Sequence, residues 1–108
     1  KLRLKEVAAD VLVIDKRPQF AFVDAAKVHF PLTIRPVKQG DRFVPFGMKG
    51  SKLVSDFMND LKLSMIERKH QLVVVDNHDT LLWVVGRRVD NRVAVGSETQ
   101  KVIVMEQI

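Results

Sequence analysis

The apolar residues of this chain come in short bursts, the longest being the five of Leu81-Leu82-Trp83-Val84-Val85, and a turn former or a charge closes each one. Asp15, Asp24, Asp76, Gly86, Gly96 and Glu106 stand directly after successive bursts. A membrane-spanning helix needs about 20 apolar residues in a row, so none is expected here. Runs of four or five rich in Val, Ile, Leu and Phe, separated by turn chemistry, read as short strands. Residues 7–14, 20–23, 28–37, 72–75, 81–85, 92–95 and 101–105 are the candidates, with Asp76-Asn77-His78-Asp79-Thr80 as the polar loop of a hairpin. Pro31 and Pro36 put the third segment at a sheet edge, because proline removes a ladder donor.

One segment has helical spacing instead. Leu53, Val54, Phe57, Met58 and Leu61 recur on one face, Ser51 is placed to cap the start, and the helix is predicted over about 51–62. Residues 65–69 add a further turn of helix. The sum is an α+β, β-rich domain of six or seven short strands around one main helix. A length of 108 residues fits one domain over 1–108, with 1–19 as a connecting strand from a preceding domain. The start at Lys1 instead of methionine suggests an excised piece, and no charged-then-apolar leader opens it.

Composition narrows the chemistry. Cysteine is absent, which removes disulfides, thiolate metal sites and cysteine nucleophiles, and fits a reducing compartment. His29, His70 and His78 lie far apart in sequence with no i,i+4 pair, so a zinc site is not expected. No serine has the surroundings of an activated nucleophile, and Asp56 and Asp60 on one helix face read as solvation and ion pairing, Asp56 with Lys52 for example. The net charge of +5 favours polyanion partners. Five cations (Arg35, Lys38, Arg42, Lys49, Lys52) face one acid, Asp41, over residues 35–52, and a second knot of Arg87, Arg88 and Arg92 faces only Asp90.

Residues 40–52, Gly-Asp-Arg-Phe-Val-Pro-Phe-Gly-Met-Lys-Gly-Ser-Lys, superficially look like a phosphate loop before a helix. They fail the nucleotide-binding pattern, since Gly50 is followed by Ser51 and then Lys52. A backbone phosphate at the helix N-terminus, beside Lys49 and Lys52, remains compatible with a structural loop whose Phe43 and Phe46 plug the core. Trp83, among aliphatic neighbours, reads as core.

The ordered blocks Leu32-Thr33-Ile34-Arg35, Gly40-Asp41-Arg42-Phe43, Pro45, Gly47-Met48, Lys52 and Val54-Ser55-Asp56-Phe57 resemble the C-terminal domain of bacterial tRNA(Ile)-lysidine synthases. The likeness continues through Ile66-Glu67-Arg68, Leu82-Trp83-Val84-Val85-Gly86-Arg87-Arg88, Asp90, Arg92 and Val95, and covers about residues 20–104. Leu53, where a second lysine is common, and the apolar Val93-Ala94-Val95-Gly96 depart from the pattern.

The resemblance implies a cytoplasmic parent ligase that attaches lysine to the wobble cytidine of an isoleucine tRNA. ATP (with magnesium) and lysine are used in a catalytic domain outside this sequence, and no cofactor or catalytic site is implied here. For this part it implies a tRNA(Ile)-binding role, holding the acceptor arm by phosphate contacts, with the catalytic domain of the same chain as second partner and a homodimer left open. The candidate contacts are Arg35, Lys38, Arg42, Lys49, Lys52, Arg68, Arg87, Arg88 and Arg92. The alternative is a protein–protein module that docks on the catalytic domain or a second subunit.

Overall fold

The computed structural model describes residues 2–108. Its strands are β1 (Leu2–Ala8), β2 (Phe20–Asp24), β3 (Thr33–Pro36), β4 (Arg42–Phe43), β5 (Lys52–Leu53), β6 (Leu72–Val75), β7 (Leu81–Val84), β8 (Arg88–Val89) and β9 (Lys101–Gln107). Helix α1 (Val54–Asp60) follows β5, and α2 (Met65–His70) precedes β6. Three antiparallel sheets result, ordered β1-β9-β2, β3-β6-β7-β8 and β4-β5. The β-rich α+β class expected from the sequence is the one observed.

The middle layer is the sheet built on the β6–β7 hairpin, and it is buried on both faces. Val73, Val75, Leu81 and Val84 pack under Phe43, Val54, Phe57 and Met58 of the ribbon and α1. Val74, Leu82, Trp83 and Val85 pack on Ala21 and Val23 of β2 and Ile103 and Met105 of β9. Burial on two sides explains why these strands read as unbroken apolar runs, a pattern more usual in parallel sheets. A bulge between Val74 and Val75 sets Leu82 and Trp83, neighbours in sequence, into the same core. Trp83 is 1% exposed there, so its reading as core holds.

Several expected boundaries move, each for a physical reason. The strand expected over 7–14 lies earlier: all of Leu2–Ala8 pairs with β9, and Ala9–Val11 turns away as a 3-10 helix. β1 is a mostly exposed edge, which needs no continuous apolar face and so left little trace in the sequence. The strand expected over 92–95 is a 3-10 turn, Asn91–Val93, capped by Asp90, with only Ala94 bridging to Val23. The third segment is a strand only over Thr33–Pro36.

The main helix is shorter than 51–62 at both ends. Ser51 does not cap it; Lys52 and Leu53 pair with Phe43 and Arg42, and the Val54 N–H donates to the Asp41 carbonyl at 2.9 Å. At the far end Lys62 takes a left-handed φ of 57°, with Lys62 N–H on the Asn59 carbonyl and Leu63 N–H on the Met58 carbonyl. That pattern is a Schellman stop, sealed by Met58 and Leu63 in one core. α2 is held by a reciprocal capping box, Glu67 N–H on Ser64 Oγ at 3.1 Å and Ser64 N–H on Glu67 Oε1 at 2.9 Å.

Candidate nucleic-acid interface

The basic residues fall into two groups with different fates. In the first, Arg35 reaches from β3 to Asp41 with both terminal nitrogens, at 2.9 and 3.0 Å, and also donates to the Pro36 carbonyl. Asp41 accepts the Lys38 N–H at 2.7 Å as well. Burial pushes the Asp41 carboxyl up, but the Arg35 guanidinium and the Lys38 amide outweigh it and hold it below the usual range. Arg35 is raised in turn by the same hydrogen bonds. This bidentate clamp sets the turn into β4, so Arg35 is occupied as a structural cation.

The cations that follow are not occupied. Lys38, Arg42 and Lys49 are exposed, and none of their charged groups has a carboxylate within 4 Å among the described residues, although Lys38 is near enough to Asp41 to help hold its carboxyl down. Arg42 donates only to the Ser51 hydroxyl, at 3.1 Å, which steadies the side chain and leaves its charge uncompensated. Lys52 is different: it pairs with Asp60 of α1, not with Asp56. The helix terminus expected beside Ser51 lies instead at Val54, because the strand pair β4–β5 takes up residues 52 and 53.

The second group is built around Asp90, which is fully buried. Its carboxylate accepts Arg92 Nε and Nη2 at 3.0 and 2.8 Å, the Arg92 N–H at 2.7 Å and the Val44 N–H at 2.9 Å. Asp90 hydrogen bonds raise the Arg92 guanidinium further. The neighbouring backbone extends the seam: Phe46 N–H to the Val89 carbonyl at 3.0 Å, and Asn91 N–H to the Val44 carbonyl at 2.6 Å. Residues 44–47 are thus laced onto residues 89–91. Gly47, at φ 88°, allows the turn that follows, where any side chain would be strained.

The remaining candidates divide the same way. Arg68 Nε donates to the Leu63 carbonyl, closing the turn between the helices. Arg87 meets Gln71 Oε1 at 3.3 Å and Glu67 at 3.5 Å, and not Asp90. Arg88 lies over the Phe57 ring at 5.5 Å with no carboxylate partner among the described residues. Phe43 is buried as expected, but Phe46 is 53% exposed and does not plug the core. Lys16 and Arg17, which no sequence motif marks, are brought by the fold beside Arg87, Arg88 and Phe46 around one cleft.

His29 and His78, distant in sequence, stack at 3.7 Å, and His29 Nδ1 lies 3.4 Å from buried Asp76. Burial pushes Asp76 up, yet the amides of Thr80, His29 and His78 hold it below its ordinary value. Among the described residues no three metal-ligating side chains converge. No helix among them is long and apolar enough to cross a membrane.

Comparison with known proteins agrees with this geometry. The family model of the TilS substrate C-terminal domain matches residues 32–105. The tRNA(Ile)-lysidine synthase of Parabacteroides distasonis is 42% identical over 92 residues, covering 85% of this chain and 21% of that protein. That of Bacteroides thetaiotaomicron is 34% identical, covering 84% and 21%. The chain thus spans about a fifth of the length of these relatives. A crystal structure of a TILS C-terminal domain has the same fold, with a TM-score of 0.78 at 24% identity over 97% of this chain and 82% of that one. An N-terminal fragment of the phenylalanyl-tRNA synthetase β-subunit from Pyrococcus horikoshii shares it more loosely, at a TM-score of 0.68 and 13% identity, covering 80% and 27%. With the family model matched over residues 32–105, the chain belongs to the TilS substrate C-terminal domain family.

Proposed function

We propose that this domain is the noncatalytic tRNA-holding part of a cytoplasmic tRNA(Ile)-lysidine synthase, gripping the acceptor arm through phosphate contacts. ATP with magnesium, lysine and the wobble cytidine would be handled by a catalytic domain elsewhere in the parent protein. The observation that carries the reading is the set Lys38, Arg42 and Lys49: three exposed cations whose charged groups make no ion pair among the described residues, on a loop whose far side is pinned to β8 and Asp90. Duplex RNA is recognised largely through backbone and shape, which suits fixed cations better than base-reading side chains. Arg35 and Arg92 support that surface from behind, Arg35 through the turn at Asp41 and Arg92 through Asp90.

A salt titration of binding to an isoleucine tRNA transcript tests this. Each phosphate contact contributes about −0.9 to the log–log slope on B-form DNA, and a similar order is expected on RNA. Replacing Lys38, Arg42 and Lys49 together with Ala should flatten the slope by about 2–3 and leave the melting temperature within a degree or two. An unchanged slope would remove these residues from the interface. A chain that is folded but does not bind tRNA even at low salt would favour the docking alternative, for which exposed Met65 and Ile66 on α2, 77% and 71% accessible, are the candidate contacts.

A further inference from the structure

Beside the duplex-holding loop lies a cleft of about 400 Å³ between β2, β8 and the segment 14–18. Phe20, Phe22, Phe46 and the almost fully buried Trp83 are among the side chains that line it. Lys16, Arg17, Arg87 and Arg88 are the cations on its lining, against the one acid Asp15. Asp15 is neutralised where it stands, since Arg17 Nε and Nη2 close on it at 3.0 and 2.7 Å. The same guanidinium lies over the Phe20 ring at 5.1 Å. The lining is therefore mainly apolar and aromatic, and Lys16 and Arg88 are the cations on it that no carboxylate pairs among the described residues.

Phe46 gives the cleft its meaning. A half-exposed phenylalanine on a mobile loop would be unremarkable, but here the backbone is fixed: Phe46 donates to Val89, Val44 to Asp90, and Gly47 N–H to Asn91 Oδ1 at 3.3 Å. The seam holds an uncovered aromatic face at a set position beside Arg88, a pre-organised platform instead of a collapsed one. Aromatic faces next to a cationic groove are how proteins hold unpaired nucleotides, because every base has a π-face and every linkage a phosphate. The volume lies within the roughly 300–1,000 Å³ typical of small-ligand pockets, enough for a nucleotide and not for a double helix.

We propose that this cleft takes an unpaired nucleotide at the end of the bound duplex, its base against Phe46 and its phosphate toward Lys16 and Arg88. The inference rests on the RNA-holding reading above and adds a second, single-stranded subsite to it. The probes are two RNA hairpins of the same stem, one blunt and one with four unpaired 3′ nucleotides, titrated by fluorescence anisotropy. The extension should tighten binding by about tenfold, the effect of one stacked base. Phe46→Ala should erase that gain and leave blunt-stem affinity within about twofold. A Phe46→Trp variant supplies a direct readout, quenched by the extended hairpin and not by the blunt one. No gain from the extension, a gain that survives Phe46→Ala, or equal quenching by an acidic peptide overturns the inference. If the blunt stem still binds, only this subsite is lost; if neither hairpin binds, the RNA-holding reading goes with it.

Discussion

The loop at residues 38–49 and the corner at residues 87–92 are equally basic in sequence, yet the fold uses their cations for opposite purposes. In the corner Arg92 is locked on Asp90 and Arg87 leans on Gln71 and Glu67. In the loop Lys38, Arg42 and Lys49 stand without carboxylate partners among the described residues. The difference lies in where the acids are. Asp90 is buried under the loop and gathers a guanidinium and two amides. Asp41 is claimed in bidentate fashion by Arg35 from outside the loop, so Arg42 and Lys49 go unanswered and Lys38 meets it only at longer range. Apart from Arg88, which has no carboxylate partner among the described residues, the corner holds its cations, and the loop is held so that its cations can bind.

The sharpest way to break that contrast is Asp90→Ala. It removes the acceptor of Val44, the cap of the 3-10 turn and the partner of Arg92 at once, and should destabilise the chain by about 3–5 kcal/mol in urea unfolding. Arg92→Ala should cost clearly less, because its side chain is half exposed and Asp90 keeps its backbone donors. Equal losses for the two would mean that the ion pair, not the seam, organises the corner.

Much of this arrangement was legible in the sequence, and the gaps are instructive. The hairpin over 72–85, the burial of Trp83 and the existence of a helix after residue 50 followed from local pattern. β4, β5 and β8 did not, being two residues each and defined only by what lies across from them. The Ser64-x-x-Glu67 capping box was written in the sequence and is the signal that fixes α2. The nine candidate cations rest on charge placement and family resemblance, neither of which separates a guanidinium with a buried partner from one without. Phe46 was assigned to the core because a phenylalanine in a Gly-rich loop usually goes there. Only the seam to residues 89–91 shows that it is kept outside.

Arg35→Ala sits one step lower in expected effect. It leaves Asp41, a largely shielded carboxylate, without its guanidinium, and a loss of about 1–2 kcal/mol follows once solvent screening is allowed for. If the loop is displayed by this clamp, tRNA affinity should also fall, although Arg35 touches no phosphate in this reading. Lost stability with unchanged affinity would separate the clamp from the binding surface.

Acid should reach the same clamp more gently. Asp41 is held below its ordinary value in the fold, so its contribution is complete above the unfolded carboxylate pKa of about 3.9 and disappears as pH falls through the lower, folded value. Melting temperatures of the parent chain and Asp41→Asn should therefore differ at pH 7 and draw together as the pH is lowered below about 3.9. Curves that stay parallel would show that the Arg35 pair contributes nothing to folding.

Lys52→Ala should do least, and that smallness is its use. Lys52 belongs to the basic loop by sequence but behaves like the corner, since it pairs with Asp60 while Lys49, three residues earlier, does not. The pair is solvent-facing, with Asp60 60% exposed, so its loss should change stability by under about 0.5 kcal/mol. Tied to α1, Lys52 is also expected to contribute less to RNA binding than Lys49, with a smaller change in salt slope for Lys52→Ala than for Lys49→Ala. A larger effect at Lys52 would mean that RNA outcompetes Asp60. Ion pairs in the unbound fold would then not sort holding cations from binding ones.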